Sequence, residues 1–150
     1  MRLRAVAVAS VATLVFAAPA GAVLVVQQGM AGIPLGMTQA KVRAKLGKPV
    51  AVKRGSNEFG RYTELRYRGL RVTFQGNASV TAISTTSRRE RTARGIGVGS
   101  PVAAVRARVA GVRCTRGHCL VGKLLPGRRV TDFFLRKGRV SAITVGFVID

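Results

Sequence analysis

The chain has 150 residues with a formal net charge of +21, from 26 Lys and Arg against 5 Asp and Glu. Its length suffices for one ordinary core or two small fused ones. Its field attracts polyanions and repels other cations, which excludes basic partners.

Arg2 and Arg4 precede an uncharged run from Ala5 to Val26, and Ala20-Gly21-Ala22 matches a small-residue cleavage pattern. Residues 1–22 therefore read as a secretory signal peptide, or alternatively as an uncleaved N-terminal anchor, about 20 apolar residues being enough to span a bilayer. Both readings place the remainder outside the cytoplasm, secreted or membrane-anchored and facing outward, since the charges precede the run. Cleavage after Ala22 removes two arginines and leaves +19. No cysteine stands just after the run, which excludes a lipoprotein anchor, and no later stretch is apolar enough to cross a membrane.

Val23 to Ala31 is a lead-in readable as a short strand or as part of a helix. Gly32 to Pro49 then spells one short helix over Gln39–Leu46 with its punctuation. Thr38 is placed to cap it through its hydroxyl, Met37 to pack on Val42 as a staple, Gly47 to end it in the left-handed conformation, and Pro49 to block continuation. Residues 50–60 are ambiguous: Val50-Ala-Val52 could be a strand, and Gly55-Ser-Asn57 is a turn cluster. A meander follows. Tyr62–Tyr67 alternates with Thr63, Leu65 and Tyr67 on one face, Arg68-Gly69 makes a hairpin turn, Leu70–Phe74 puts Leu70, Val72 and Phe74 inward, and Ser79–Thr86 is the third strand.

Ser87–Arg94 is polar and basic, a connector over 87–94 between a first unit at 23–86 and a second at 95–150. Ser100 caps a second helix over Pro101–Ala110, with Pro101 at its first position. Strands are expected at Cys119–Leu125, Val130–Leu135 and Arg139–Ile149, with turns at Pro126-Gly127 and Lys137-Gly138.

Two recurrences organise this. Gly32, Ile33, Gly36, Val42, Arg43 and Ala44 return as Gly95, Ile96, Gly99, Val105, Arg106 and Ala107. Val80-Thr-Ala-Ile-Ser84 returns as Val140-Ser-Ala-Ile-Thr144 with the same break of alternation, which a bulge or a strand covered on both faces would explain. The expectation is an α+β chain, a tandem repeat of a short helix packed on an antiparallel β-meander. Each repeat is near 60 residues and marginal alone, so the halves should pack together.

Leu35-Gly-Met-Thr38, Val42 and Leu46-Gly-Lys-Pro49, followed by a meander, resemble the BamE/SmpA/OmlA-type envelope domain. The doubled form is similar to the secreted β-lactamase inhibitory proteins, tandem helix-then-sheet repeats. The resemblance implies a non-catalytic envelope module, or an inhibitor of a secreted enzyme such as a β-lactamase.

Cys114 and Cys119 are an even pair in an exported chain, most simply a disulfide closing a tight loop. The alternative adds His118 and reads three soft ligands for zinc or copper, although residues 118 and 119 point apart in an extended chain and no fourth ligand is evident. No nucleophile motif and no placed carboxylate pair accompany His118, the single histidine, so no enzyme, metal or cofactor is expected. Gly95-Ile-Gly-Val-Gly99 precedes a helix but lacks the spacing and lysine of a phosphate loop, and reads better as a turn. Arg88, Arg89, Arg91 and Arg94, then Arg128 and Arg129, then Arg136, Lys137 and Arg139 are the candidate anion or partner contacts. They could form one patch for an envelope polyanion or an acidic envelope or secreted protein, or they decorate a solvated surface. Aromatics interleaved for base stacking are missing, since Phe74, Phe133, Phe134 and Phe147 fit the core, so no specific nucleic-acid partner is expected. The expected function is a non-catalytic secreted or envelope-associated binding or scaffolding module, touching membrane only through an uncleaved N-terminus.

Overall fold

Period-two alternation, which puts successive side chains on opposite faces of a strand, builds most of this chain. The computed structural model describes residues 23–150, so the leader or anchor expected over 1–22 lies outside the described residues. The lead-in forms two two-residue strands, β1 (Leu24–Val25) and β2 (Gly29–Met30), which a third, β3 (Ile33–Pro34), joins in a small antiparallel sheet. Helix α1 (Gln39–Leu46) leads to β4 (Ala51–Asn57), β5 (Gly60–Tyr67), β6 (Leu70–Gln75) and β7 (Ala82–Thr85). Helix α2 (Val102–Arg108) leads to β8 (Val112–Cys114), β9 (His118–Val121), β10 (Arg129–Arg136) and β11 (Arg139–Phe147).

The expected α+β tandem repeat of helix-on-meander units is corrected by this arrangement. Strands β4 to β11 form one eight-stranded antiparallel sheet in the order β4-β5-β6-β7-β11-β10-β9-β8, and the helices contribute only eight and seven residues. The protein is mostly β. The reason lies at β7, which pairs with β6 and also with β11. Two separate meanders would leave β7 and β11 as open edges with unpaired backbone groups, and joining them removes both edges. The recurring glycine segments also differ in structure: Ile33–Pro34 is a strand, whereas Gly97 makes only an isolated bridge to Arg91.

The sheet's inward rows carry the core. Leu65, Val72, Ile83, Val145, Thr131 and Val121 follow one another in register across β5, β6, β7, β11, β10 and β9, all buried. A second row runs Leu70, Thr85, Ile143, Phe133, Cys119. Leu24, Met30 and Ile33 from the small sheet, Val42 from α1, and Ile96 and Val105 around α2 complete the same cluster. One core therefore serves the whole described chain.

Local expectations fared unevenly. Helix α1 has the expected span and Gly47 takes φ 77, but Thr38 makes no side-chain capping bond; its carbonyl accepts the Val42 N–H at 3.0 Å. Helix α2 is shorter than expected. Pro101 is its N-cap in extended conformation, and the Ser100 hydroxyl accepts the Gly97 N–H at 3.1 Å instead of capping. Gly55-Ser-Asn57 lies inside β4, and the turn comes later, at Glu58-Phe59. Gly55 suits its place in the strand because its partner Tyr62 lies across it, the hydroxyl 2.8 Å and the ring 2.9 Å from where a Cβ would stand. The break of alternation in β11 is a bulge: Phe134 pairs with Ala142 and Leu135 with Val140, leaving Ser141 as the extra residue. Phe134, expected in the core, is 42% exposed, because its neighbour Phe133 takes the inward position and adjacent strand residues point apart.

Candidate binding surface on the outward sheet face

The alternation that buries one face of the sheet commits the residues between to the other. Arg66, Arg71, Ser84, Thr144 and Asp132 stand in one row across β5, β6, β7, β11 and β10. All five are at least partly exposed. Two arginines directly opposite would repel. Glu64, on the same face of β5, relieves this: its carboxylate accepts from Arg66 Nε at 2.6 Å and lies 3.6 Å from Arg71 Nε. One carboxylate thus serves two guanidiniums, and each keeps further N–H donors. Beside them the Ser84 and Thr144 hydroxyls hydrogen-bond at 2.8 Å across the β7–β11 seam. A groove of about 370 Å³ runs here, lined by both arginines, both hydroxyls, Tyr67 and Ala142 among others. The Tyr67 hydroxyl donates to the Gly47 carbonyl at 3.2 Å. Burial pushes its pKa above the ordinary phenol value, with Arg43 pulling weakly the other way, so it is a neutral group at ordinary pH.

Further along the same face His118 stands beside Asp132, its Nδ1 3.0 and 2.9 Å from the two carboxylate oxygens. This pairing fixes the ring. Among the described residues no hydroxyl or thiol partners the other ring nitrogen, and no group of three His, Cys, Asp or Glu is gathered as for a metal. Cys114 and Cys119 are bonded to each other as expected, register partners across the β8–β9 hairpin. The zinc or copper alternative therefore lacks its two thiolates.

The nine basic candidates are dispersed. Arg88 and Arg139 converge on Gly99: Arg139 donates to its carbonyl at 3.0 Å, and Arg88 Nε lies 3.6 Å from where a Cβ would stand. Arg136 is the register partner of Arg139, and Lys137 is in the turn between them. Arg128 and Arg129 lie at the opposite end of β10, roughly 20 Å away at 3.3 Å per residue. Arg129 lies 5.5 Å from the centre of the Phe147 ring. Arg91 is tied to its own loop, donating to the carbonyls of Gly95 at 2.7 Å and Val98 at 3.4 Å. Arg89 and Arg94 are exposed on the connector. Arg66, Arg71, Ser84, Thr144 and Asp132 escaped sequence reasoning because they are scattered singly over five strands. The 60-residue offset marked Ser84 and Thr144 as equivalent positions in the sequence, but not as partners.

No family model matches the chain, and no curated protein matches it. Among solved structures, it is similar to an extracellular protein containing a SCP domain from Bacillus anthracis str. Ames, with a TM-score of 0.53 and 9% identity over 75% of this chain. The chain spans 44% of the length of that protein. At that identity the likeness shows the fold alone. The resemblance to BamE/SmpA/OmlA-type domains and to the β-lactamase inhibitory proteins is corrected accordingly: no family model supports it, and the continuous, mostly β sheet departs from the helix-on-meander repeat it implied. Leu35–Pro49 encodes a punctuated helix, which many folds use.

Proposed function

We propose that this protein is an exported, non-catalytic binding module that holds an acidic partner, an envelope polyanion or an acidic protein surface, against the outward face of its sheet. The observation that carries this is the row Arg66–Arg71–Ser84–Thr144 lining a groove, with two guanidiniums sharing the single carboxylate of Glu64. Guanidinium forks and hydroxyls recognise phosphate and carboxylate through charge-assisted hydrogen bonds. Export is supported by the arginine-led apolar run, by the Cys114–Cys119 disulfide, which belongs to oxidising compartments, and by the extracellular source of the similar structure. Among the described residues no helix is long and apolar enough to cross a membrane. The inhibitor reading rested on the corrected resemblance and is dropped.

The test is binding of the purified chain to polyphosphate, as a phosphate-rich polymer, across a salt titration. Binding should fade with salt, and Arg66→Gln with Arg71→Gln should weaken it about tenfold or more. Arg128→Gln with Arg129→Gln, removing the same charge from the far end of β10, should weaken it less than threefold. Equal losses from the two pairs would refute the groove as the contact.

A further inference from the structure

A second cleft lies apart from the groove, between the β1–β2 turn, the connector and the C-terminal end of α2, with a volume of about 520 Å³. That is within the range of pockets that take small molecules. Its lining is mostly apolar. Leu24, Val109 and Val121 are buried in its walls, and Val25 is left 42% exposed. Arg94 from the connector and Arg108 from the last turn of α2 also line it, and both are exposed. Among the described residues neither guanidinium is paired with a carboxylate. Apolar walls with two unpaired guanidiniums in the same lining match a ligand with an apolar body and an anionic end.

We propose that this cleft binds a free single-chain anionic amphiphile of the fatty-acid type, its acyl chain against Val25, Val109 and Val121 and its carboxylate between Arg94 and Arg108. The apolar surface supplies affinity without direction, and the arginines fix which end is outward. The volume suits one acyl chain, not the two of a bilayer lipid. This site is independent of the sheet face, since none of its residues lines the groove.

The experiment is calorimetric titration of the full chain with laurate below its micelle-forming concentration, with dodecanol and acetate as controls. One laurate should bind per chain, dodecanol at least tenfold more weakly, and acetate not measurably. Each of Arg94→Gln and Arg108→Gln should weaken laurate binding about tenfold, a charge-assisted bond to a carboxylate being lost in each. Arg66→Gln with Arg71→Gln should leave it unchanged. Val25→Asp, at a position 42% exposed, should abolish it while the circular dichroism spectrum of the fold is kept. Laurate affinity unaltered in the Arg94→Gln/Arg108→Gln variant would overturn the proposal. So would dodecanol binding as tightly as laurate, or binding seen only with phosphatidylglycerol vesicles and never with free laurate.

Discussion

Ile83→Ala tests whether the described chain is one cooperative unit. Ile83 is fully buried in β7 and stands in register between Val72 of β6 and Val145 of β11, at the seam where the two groups of strands join. The substitution removes three carbons from the inward row, about 2.4 kcal/mol at 0.8 kcal/mol per methylene. Tightly packed neighbours on both sides limit collapse, and the residual cavity brings the total to about 3–4 kcal/mol. For a chain of this size each kcal/mol lowers Tm by roughly 3–5 °C, so the midpoint should fall about 10–20 °C. Scanning calorimetry of the purified chain, with urea unfolding followed by far-ultraviolet circular dichroism, measures both quantities. One transition, shifted as a whole, is expected. If only part of the transition moves, the seam does not couple the two groups of strands. A loss below 1 kcal/mol would mean that Ile83 is not packed as described.

Further outcomes follow from single features. Reducing the Cys114–Cys119 disulfide, which closes only a short loop, should lower stability by about 2 kcal/mol in urea unfolding with and without a phosphine reductant; a loss above 4 would contradict the loop-closure account. Gly97→Ala should cost about 1–3 kcal/mol, because the new Cβ would lie 2.6 Å from the Glu90 carbonyl oxygen, whereas Gly117→Ala, with open space around it, should stay within about 0.5 kcal/mol in the same denaturation assay. The raised pKa of Tyr67 means that the folded chain holds its phenol proton more tightly than the unfolded one. That contribution is complete below the ordinary value of 10.0 and is lost as pH rises through the folded value, so Tm should decline above pH 10 less steeply in Tyr67→Phe than in the parent chain.

Local signals in the sequence were legible where one residue type determined one backbone event. Gly47 ends α1 and Arg68-Gly69 turns β5 into β6, while the broken alternation before Ile143, open in the sequence to a bulge or a doubly covered strand, is a bulge. The cysteine pair was legible for the same reason: two thiols five residues apart on facing strands have one nearby partner each. What was not legible depended on which edge meets which. Val80–Ser84 and Val140–Thr144 look alike, and the likeness suggested two copies of a unit; nothing in either segment states that the strands pair with each other. The outward row was hidden by the same long-range choice, since Arg71, Ser84 and Thr144 become neighbours only after β6, β7 and β11 align. Thr38 and Ser100 show the limit of capping rules: both stand next to helix starts, yet tertiary pairing placed Thr38 in a bridge to Ser79 and turned Ser100 toward Gly97.

The acids explain where the charge can act. Of the five, Glu64 is shared by Arg66 and Arg71, Asp132 holds His118, and Glu90 is buried against the Thr85 hydroxyl at 2.9 Å. Only Glu58 and Asp150 remain to oppose the other cations. The arginine runs visible in the sequence therefore give a field spread over the whole surface, which speeds encounter with any polyanion and weakens with salt, but distinguishes little. Discrimination needs donors held at fixed spacing beside a concavity. Among the described residues the Arg66–Arg71 groove combines these, its arginines tied to Glu64, and the Arg94–Arg108 cleft sets two further arginines beside a concavity; in each the arginines come from different segments of the chain. Recognition by this protein should thus depend on pairs of arginines that folding brings together, while the residues adjacent in sequence set the rate of approach.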